Sequence, residues 1–280
     1  MTASSTGLEL ILNAAEGVLQ IVVTQNEAVL CVQEWHRPER ATEILTPALQ
    51  AICASLGIAP SGFKRIACVR GPGSFTGIRL VLTTAAALRR TGHAQLAALD
   101  FLQALACSAA IRRSLPYGVP VWTVTHARAN LVHCRPFVAM GPIIPPAPLQ
   151  DVDLCPPDEA LRRILTESES ARIPSQTQAR HTPCCICGSA LTRHAAIFGS
   201  FAAMSDTVHP MPELTNPDGA ALRLLARHGD YAAEDIEPLY ARPCDAAENL
   251  PQIAARRNMD PNSATAELEH LLQAWPTSDI

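Results

Sequence analysis

Arg70-Gly71-Pro72-Gly73-Ser74-Phe75-Thr76-Gly77-Ile78-Arg79 is the stretch on which the reading of this chain turns. It follows an apolar run, residues 65–70, and precedes a segment whose apolar residues recur at the helical period, so it reads as a glycine-rich turn between a buried strand and a helix. Such a turn points backbone N–H groups outward at a helix N-terminus, which suits phosphate or another anion. Arg70, Gly71, Gly73, Ser74, Thr76, Gly77 and Arg79 would then supply the contacts to an anion or nucleotide. The glycines follow G-x-G-x-x-x-G, one residue longer than the dinucleotide fingerprint, and no Lys-Ser/Thr pair follows as a P-loop requires. On spacing alone a plain structural turn, with Ser74 or Thr76 capping the helix, is the stronger reading.

Working outward, three apolar segments come first, residues 8–12, 18–24 and 28–33. Gly17 and Asn26-Glu27 separate them, which predicts a strand meander. A helix is expected over 39–56, with Ile44, Leu45, Leu49, Ile52, Cys53 and Leu56 on one face and Gly57 ending it. The helix after the glycine turn should run over 75–90 and close at Gly92. Its stretch Thr83-Thr84-Ala85-Ala86-Ala87 is small-sided, so another helix, of this chain or of a partner, could approach closely. A strand at 94–99 and a helix capped by Asp100 follow. The order βββαβαβα sets an antiparallel meander beside parallel crossovers, an α/β lobe of the ribonuclease-H-like or actin-like kind.

The second half is less regular. Residues 119–125 and 131–138 read as a hairpin, and 140–157 as a connection too rich in proline for regular structure. A short helix at 158–167 and a strand at 184–187 come next. Asn216-Pro217 should open a helix reaching residue 228, with Asn as cap and Pro at its first position. In the tail, Leu268, Leu271, Leu272 and Trp275 share a helical face. The expected organisation is a lobe over 1–113, a second over 114–246 with helix 216–229 packing back on the lobe interface, and a tail over 247–280.

Of 280 residues, 48% are hydrophobic and 17% charged, a globular balance. Net charge is −4, and Lys64 is the lone lysine. A protein gripping RNA by itself usually carries a basic excess, so any RNA role should be shared with a partner. The start of the chain lacks a basic segment followed by a long apolar core, which predicts a soluble, cytoplasmic protein without membrane attachment. Ten cysteines are scattered, several in apolar runs, as expected of free thiols in a reducing compartment.

GPGSFTGIR (71–79) closely resembles the signature of the TsaB branch (YeaZ-like) of the TsaD family. ERATEILTPAL (39–49), HAR (126–128) and PLYARPCDA (238–246) match the same branch in order. The resemblance spans about residues 8–246 and implies an actin-like two-lobe fold. It also implies a non-catalytic subunit that pairs with a TsaD-like protein. TsaD transfers a threonylcarbamoyl group to the adenosine beside the anticodon of tRNA. A small TsaE-like ATPase would join the pair, tRNA would be met only through the complex, and a homodimer without the partner is left open. The pairing helices correspond to 39–56 and 75–90 here, and Ile44, Leu45, Leu49, Ile78, Thr83, Thr84 and Ala87 are the expected partner contacts. No cofactor or metal of its own is implied, though a nucleotide at the shared interface is.

This chain departs from the branch in places. Where relatives end the first strand in an Asp-Thr-Ser-like triplet, it has Asn13-Ala14-Ala15, so the carboxylate that would hold a nucleotide-bound Mg²⁺ is missing. His126 stands for another acid, and Leu131 and His133 for a Glu and a Tyr. The enzyme alternatives are an actin-fold ATPase or kinase, against which Asn13 argues, and a Ser-dependent peptidase using Ser74, which lacks the G-x-S-x-G frame. Cys184, Cys185 and Cys187, with His181 and His194 near, form one cluster where structural zinc needs two, so buried strand cysteines are expected. His126 and His133 read as two partly exposed hairpin histidines.

Overall fold

The structure, a computed structural model, describes residues 7–36, 40–128, 130–170, 184–199 and 208–239, together with scattered positions between 250 and 266. The amphipathic tail face, Tyr240–Ala246 of the last matching motif, Glu39 and His181 lie outside the described residues. The chain divides into two compact units, 1–241 and 242–280. The second contributes a helical turn in which the Arg257 N–H donates to Ile253 O at 3.1 Å.

In the first unit the meander forms as Leu8–Asn13 (β1), Leu19–Gln25 (β2) and Ala28–Trp35 (β3). Ala41–Leu56 (α1), Phe63–Val69 (β4), Phe75–Gly92 (α2), Gln95–Leu99 (β5) and Phe101–Arg113 (α3) follow. The sheet order is β3-β2-β1-β4-β5, antiparallel through the meander and parallel from β1 to β5. β1 is buried along nearly its whole length, as a central strand must be, whereas β3 at the edge is mostly exposed. α1 ends on Gly57 in the left-handed conformation, as its sequence predicts. α2 instead runs through Gly92, which packs against Ser61, and His93 takes the left-handed cap. Asp100 caps α3 by accepting from the Gln103 N–H at 2.8 Å.

The second sheet is built from Pro120–Arg128 (β6), Leu131–Val138 (β7), Ala147–Pro148 (β8) and Asp153–Cys155 (β9). Pro157–Ser170 (α4), Cys184–Cys187 (β10), Ala190–Arg193 (α5), Ala195–Phe198 (α6), Val208–Met211 (β11) and Gly219–Arg227 (α7) complete the unit. Its order is β11-β10-β6-β7-β8, with β9 also on β7. Two expectations fail. The proline-rich connection does contain strands, because β8 and β9 are edge strands of two and three residues that tolerate proline. α7 starts two residues later than Asn216-Pro217 suggested, with Asp218 at its N-cap and paired to Arg112 at 2.5 Å.

One apolar core runs from the first sheet through α3 and α7 to the near face of the second sheet, where Val121, Phe137, Cys185 and Met211 join it. A smaller core fills the far face, with Val124, Cys184, Ile186, Ile164 and Phe198. Glu9, inside the first sheet, is fully engaged. Its Oε1 accepts from Arg65 Nε at 2.9 Å and Tyr231 Oη at 2.7 Å, and its Oε2 from Thr24 Oγ1 at 3.0 Å. Arg65 also stacks over the Tyr231 ring at 4.5 Å. Glu9→Ala leaves these donors facing a void. It is expected to lower unfolding free energy by about 2 kcal/mol in a urea titration, Arg65 being partly exposed.

Candidate functional site

The glycine turn lies flat on the end of β1. A Cβ at Gly73 would sit 2.2 Å from Ala15 O, and one at Gly77 only 1.9 Å from Ala14 O. The Ser74 N–H donates to Ala15 O at 2.6 Å, and Ser74 Oγ accepts from the Gly77 N–H at 3.3 Å, capping α2. These two glycines therefore serve close packing, and two N–H groups of the turn are engaged inside the chain. Arg70 lies in the floor, where its N–H donates to Leu99 O and its carbonyl accepts from Leu239 N. Arg79 stacks on Phe75 at 4.0 Å on the surface. Gly71 is buried, and Ser74 and Thr76 are exposed.

Beside the turn is a cleft of about 390 Å³ bordered by the first turns of α1 and α2 and by the β1–β2 connection. Thr42, Ser74 and Thr76 give it hydroxyls, while Ala14, Val18, Leu19 and Leu80 give it apolar walls. Among the described residues no charged side chain lines it, so an anion held by them would rest on backbone and hydroxyl donors.

The expected partner contacts fall into two groups. Thr83 and Ala87 are exposed, and Ile44 and Thr84 half-buried, with Thr84 Oγ1 donating to Leu80 O at 2.8 Å. Leu45, Leu49 and Ile78 are corrected: all three are buried in the chain's own core. The helical period selects apolar side chains that a helix turns toward its own sheet, so a surface for another protein must be sought among the residues it leaves out. On α2 those include Phe75, 47% exposed, Thr76, Leu80, Thr83 and Ala87, and no charged residue occurs between Arg79 and Arg89.

At the end of β1, Asn13 is fully buried. Its Oδ1 accepts from the Ala15 N–H at 3.0 Å and its Nδ2 donates to Gln20 Oε1 at 2.6 Å. Gln20 Nε2 in turn donates to Glu34 Oε1 at 2.8 Å and Pro217 O at 2.7 Å. Side-chain amides thus tie this position into a closed hydrogen-bond network.

His126 and His133 separate. His133 is buried, opposite Thr125 in the hairpin, and His126 turns toward the second sheet's helices. There its Nδ1 lies 3.1 Å from Nε2 of His194, and its N–H donates to Ser189 Oγ at 3.0 Å. Ser189 Oγ also bonds Glu16 Oε1. Sequence reasoning missed Glu16 and Ser189. The available signal was an acid ahead of a turn glycine between two buried strands, and a Gly-Ser pair closing the buried strand at 184–187. Cys184 faces the far core, and Cys185 and Cys187 the near one, so the strand's alternation separates Cys184 from the other two thiols. Burial pushes the Cys184 thiol up to about 12. Among the described residues no three His, Cys, Asp or Glu side chains are placed to hold a metal ion.

A five-stranded sheet of ribonuclease-H-like order, joined through α3 and α7 to a second mixed sheet, defines an actin-like α/β protein. More narrowly, the fold is YeaZ-like. YeaZ from Pseudomonas aeruginosa superposes with a TM-score of 0.62 at 19% identity, over 84% of this chain and 99% of that one. A second solved structure, described as a protein with similarity to peptidase YEAZ from Pseudomonas aeruginosa, gives 0.64 at 18% identity, over 84% and 100%. Residues 38–152 match the family model of TsaD, tRNA N6-adenosine threonylcarbamoyltransferase. No curated protein matches the sequence at a significant level. The likeness to these solved structures is one of fold, and the match to the TsaD model covers less than half of the chain. Among the described residues no helix is long and apolar enough to cross a membrane.

Proposed function

We propose that this chain is a non-catalytic subunit that pairs with a TsaD-like protein and supports its transfer of threonylcarbamoyl to the adenosine beside the anticodon of tRNA. The observation that carries the reading is the outer face of α2. It is small-sided and uncharged from Leu80 to Leu88, with Phe75 exposed at its start, a surface suited to close helix packing against another protein. The amide network at Asn13 supports the absence of a catalytic role of its own, since an amide is a poor substitute for the carboxylate that holds Mg²⁺. A TsaE-like ATPase would join the pair, tRNA would be contacted through the complex, and a nucleotide would bind, if anywhere, in the cleft between α1 and α2 at the shared interface. The setting would be the cytoplasm, where tRNA is modified.

The test is to purify the chain with a TsaD-like protein of the same organism, size the product by light scattering, and assay threonylcarbamoyl transfer to tRNA. The expected result is a one-to-one complex that restores transfer. Failure to associate, with ATP or peptide turnover by the isolated chain, would replace the subunit reading with one of an actin-fold ATPase or a peptidase.

A further inference from the structure

The connections that leave β1 and β10 meet in one small polar cluster. Glu16 comes from the first sheet, while Ser189, Arg193 and His194 come from the segment after β10, and His126 from the end of β6. Ser189 sits at the centre: its Oγ receives the His126 N–H at 3.0 Å and bonds Glu16 Oε1, a contact spanning 173 positions of sequence. Among the described residues the second Glu16 oxygen, Oε2, is buried without a hydrogen-bond partner.

We propose that Glu16, Ser189, His126 and His194 form a proton-operated clasp between the two sheets, closed while Glu16 carries its proton and the two imidazoles share one. The Ser189 hydroxyl donates to Glu16 Oε1, so an uncharged Glu16 carries its proton on Oε2. An uncharged Oε2 left unpaired costs far less than a buried charge. Once Glu16 ionises, half a negative charge sits on a buried oxygen with nothing to receive it, and separation of the two loops lets water in. Burial dominates, pushing the carboxyl up to about 7, while the Ser189 hydrogen bond and the charge of Arg193 offset part of the cost. On the acid side, His126 Nδ1 and His194 Nε2 are 3.1 Å apart, so one must offer a proton and the other a lone pair. Protonating both sets two N–H groups against each other. Burial, Arg193 and His194 hold His126 below its ordinary value, which keeps His126 itself uncharged to lower pH.

The signs follow from proton linkage. Glu16 is raised above its ordinary 4.5, so its contribution is complete below that pH and is lost as pH rises through about 7. His126 is lowered, so its contribution is complete above its ordinary value of 6.5 and is lost as pH falls through the lower folded value. The clasp is tightest between those limits.

Amide exchange at His126, whose N–H lies on Ser189, reads the clasp directly. Corrected for intrinsic exchange, wild-type protection is expected to fall about fourfold between pH 6.5 and 8.5. In Glu16→Gln, a neutral side chain of the same shape, it should stay flat over that range; in Glu16→Ala it should be low throughout. A Glu16 carboxyl carbon that titrates near 4.5, or the same pH dependence in Glu16→Gln as in the wild type, would overturn the proposal.

Discussion

The Ala87→Arg protein is expected to fold as the wild type does and to lose association with a TsaD-like protein by at least about 100-fold. Ala87 is exposed on the outer face of α2, beside Thr83 and Thr84, where no described side chain covers it. A substitution at such a position changes stability little, about 0.5 kcal/mol either way. In a helix-to-helix contact, by contrast, the guanidinium must be buried without a counter-charge or must hold the two surfaces apart. Light scattering of the mixed proteins, with circular dichroism of the variant alone, separates the two effects. Pairing as tight as wild type would remove α2 from the interface.

Gly77→Ala is expected to have the largest effect on the fold itself, a loss of about 3 kcal/mol in unfolding free energy. The new methyl would sit 1.9 Å from Ala14 O, and the obstacle is main chain, which cannot rotate away as a side chain can. Relief requires lifting the start of α2 off the β1–β2 connection, which also strains the Ser74 N–H bond to Ala15 O. Gly62→Ala is the control. Its nearest neighbour would be a Leu8 methyl at 3.8 Å, ordinary contact, so the same urea titration should leave the midpoint nearly unmoved.

The first lobe was legible because its signals are long and regular. Seven-residue strands of buried aliphatics, helices of sixteen and eighteen residues and a glycine turn each show their period clearly. The second was harder for a physical reason. β8, β9 and β11 have two to four residues, and α5 and α6 four each, too few for periodicity to separate strand from coil. Their pairing is decided by the neighbour they meet. The same limit governed the candidate site. Gly73 and Gly77 stood out in the sequence, but what they approach, the carbonyls of Ala14 and Ala15, appears only in three dimensions. Leu45, Leu49 and Ile78 were chosen for being apolar at the right spacing, and that property sends them inward. Glu16 and Ser189 are 173 positions apart, and nothing local in either segment announces the other.

The Asn13 network also has a direction, with consequences for what a single substitution could undo. Asn13 donates to Gln20 Oε1, and the nitrogen on the same amide donates to Glu34 and to the Pro217 carbonyl. Asn13→Asp would set two acceptors face to face. Turning the Gln20 amide over would satisfy the aspartate and at once present an oxygen to Glu34 and Pro217. Restoring an acid at the end of the first strand therefore demands changes at residues 20 and 34 as well. Each intermediate on that path is less stable than either end, so the chain is held on its present side by the handedness of its own donors.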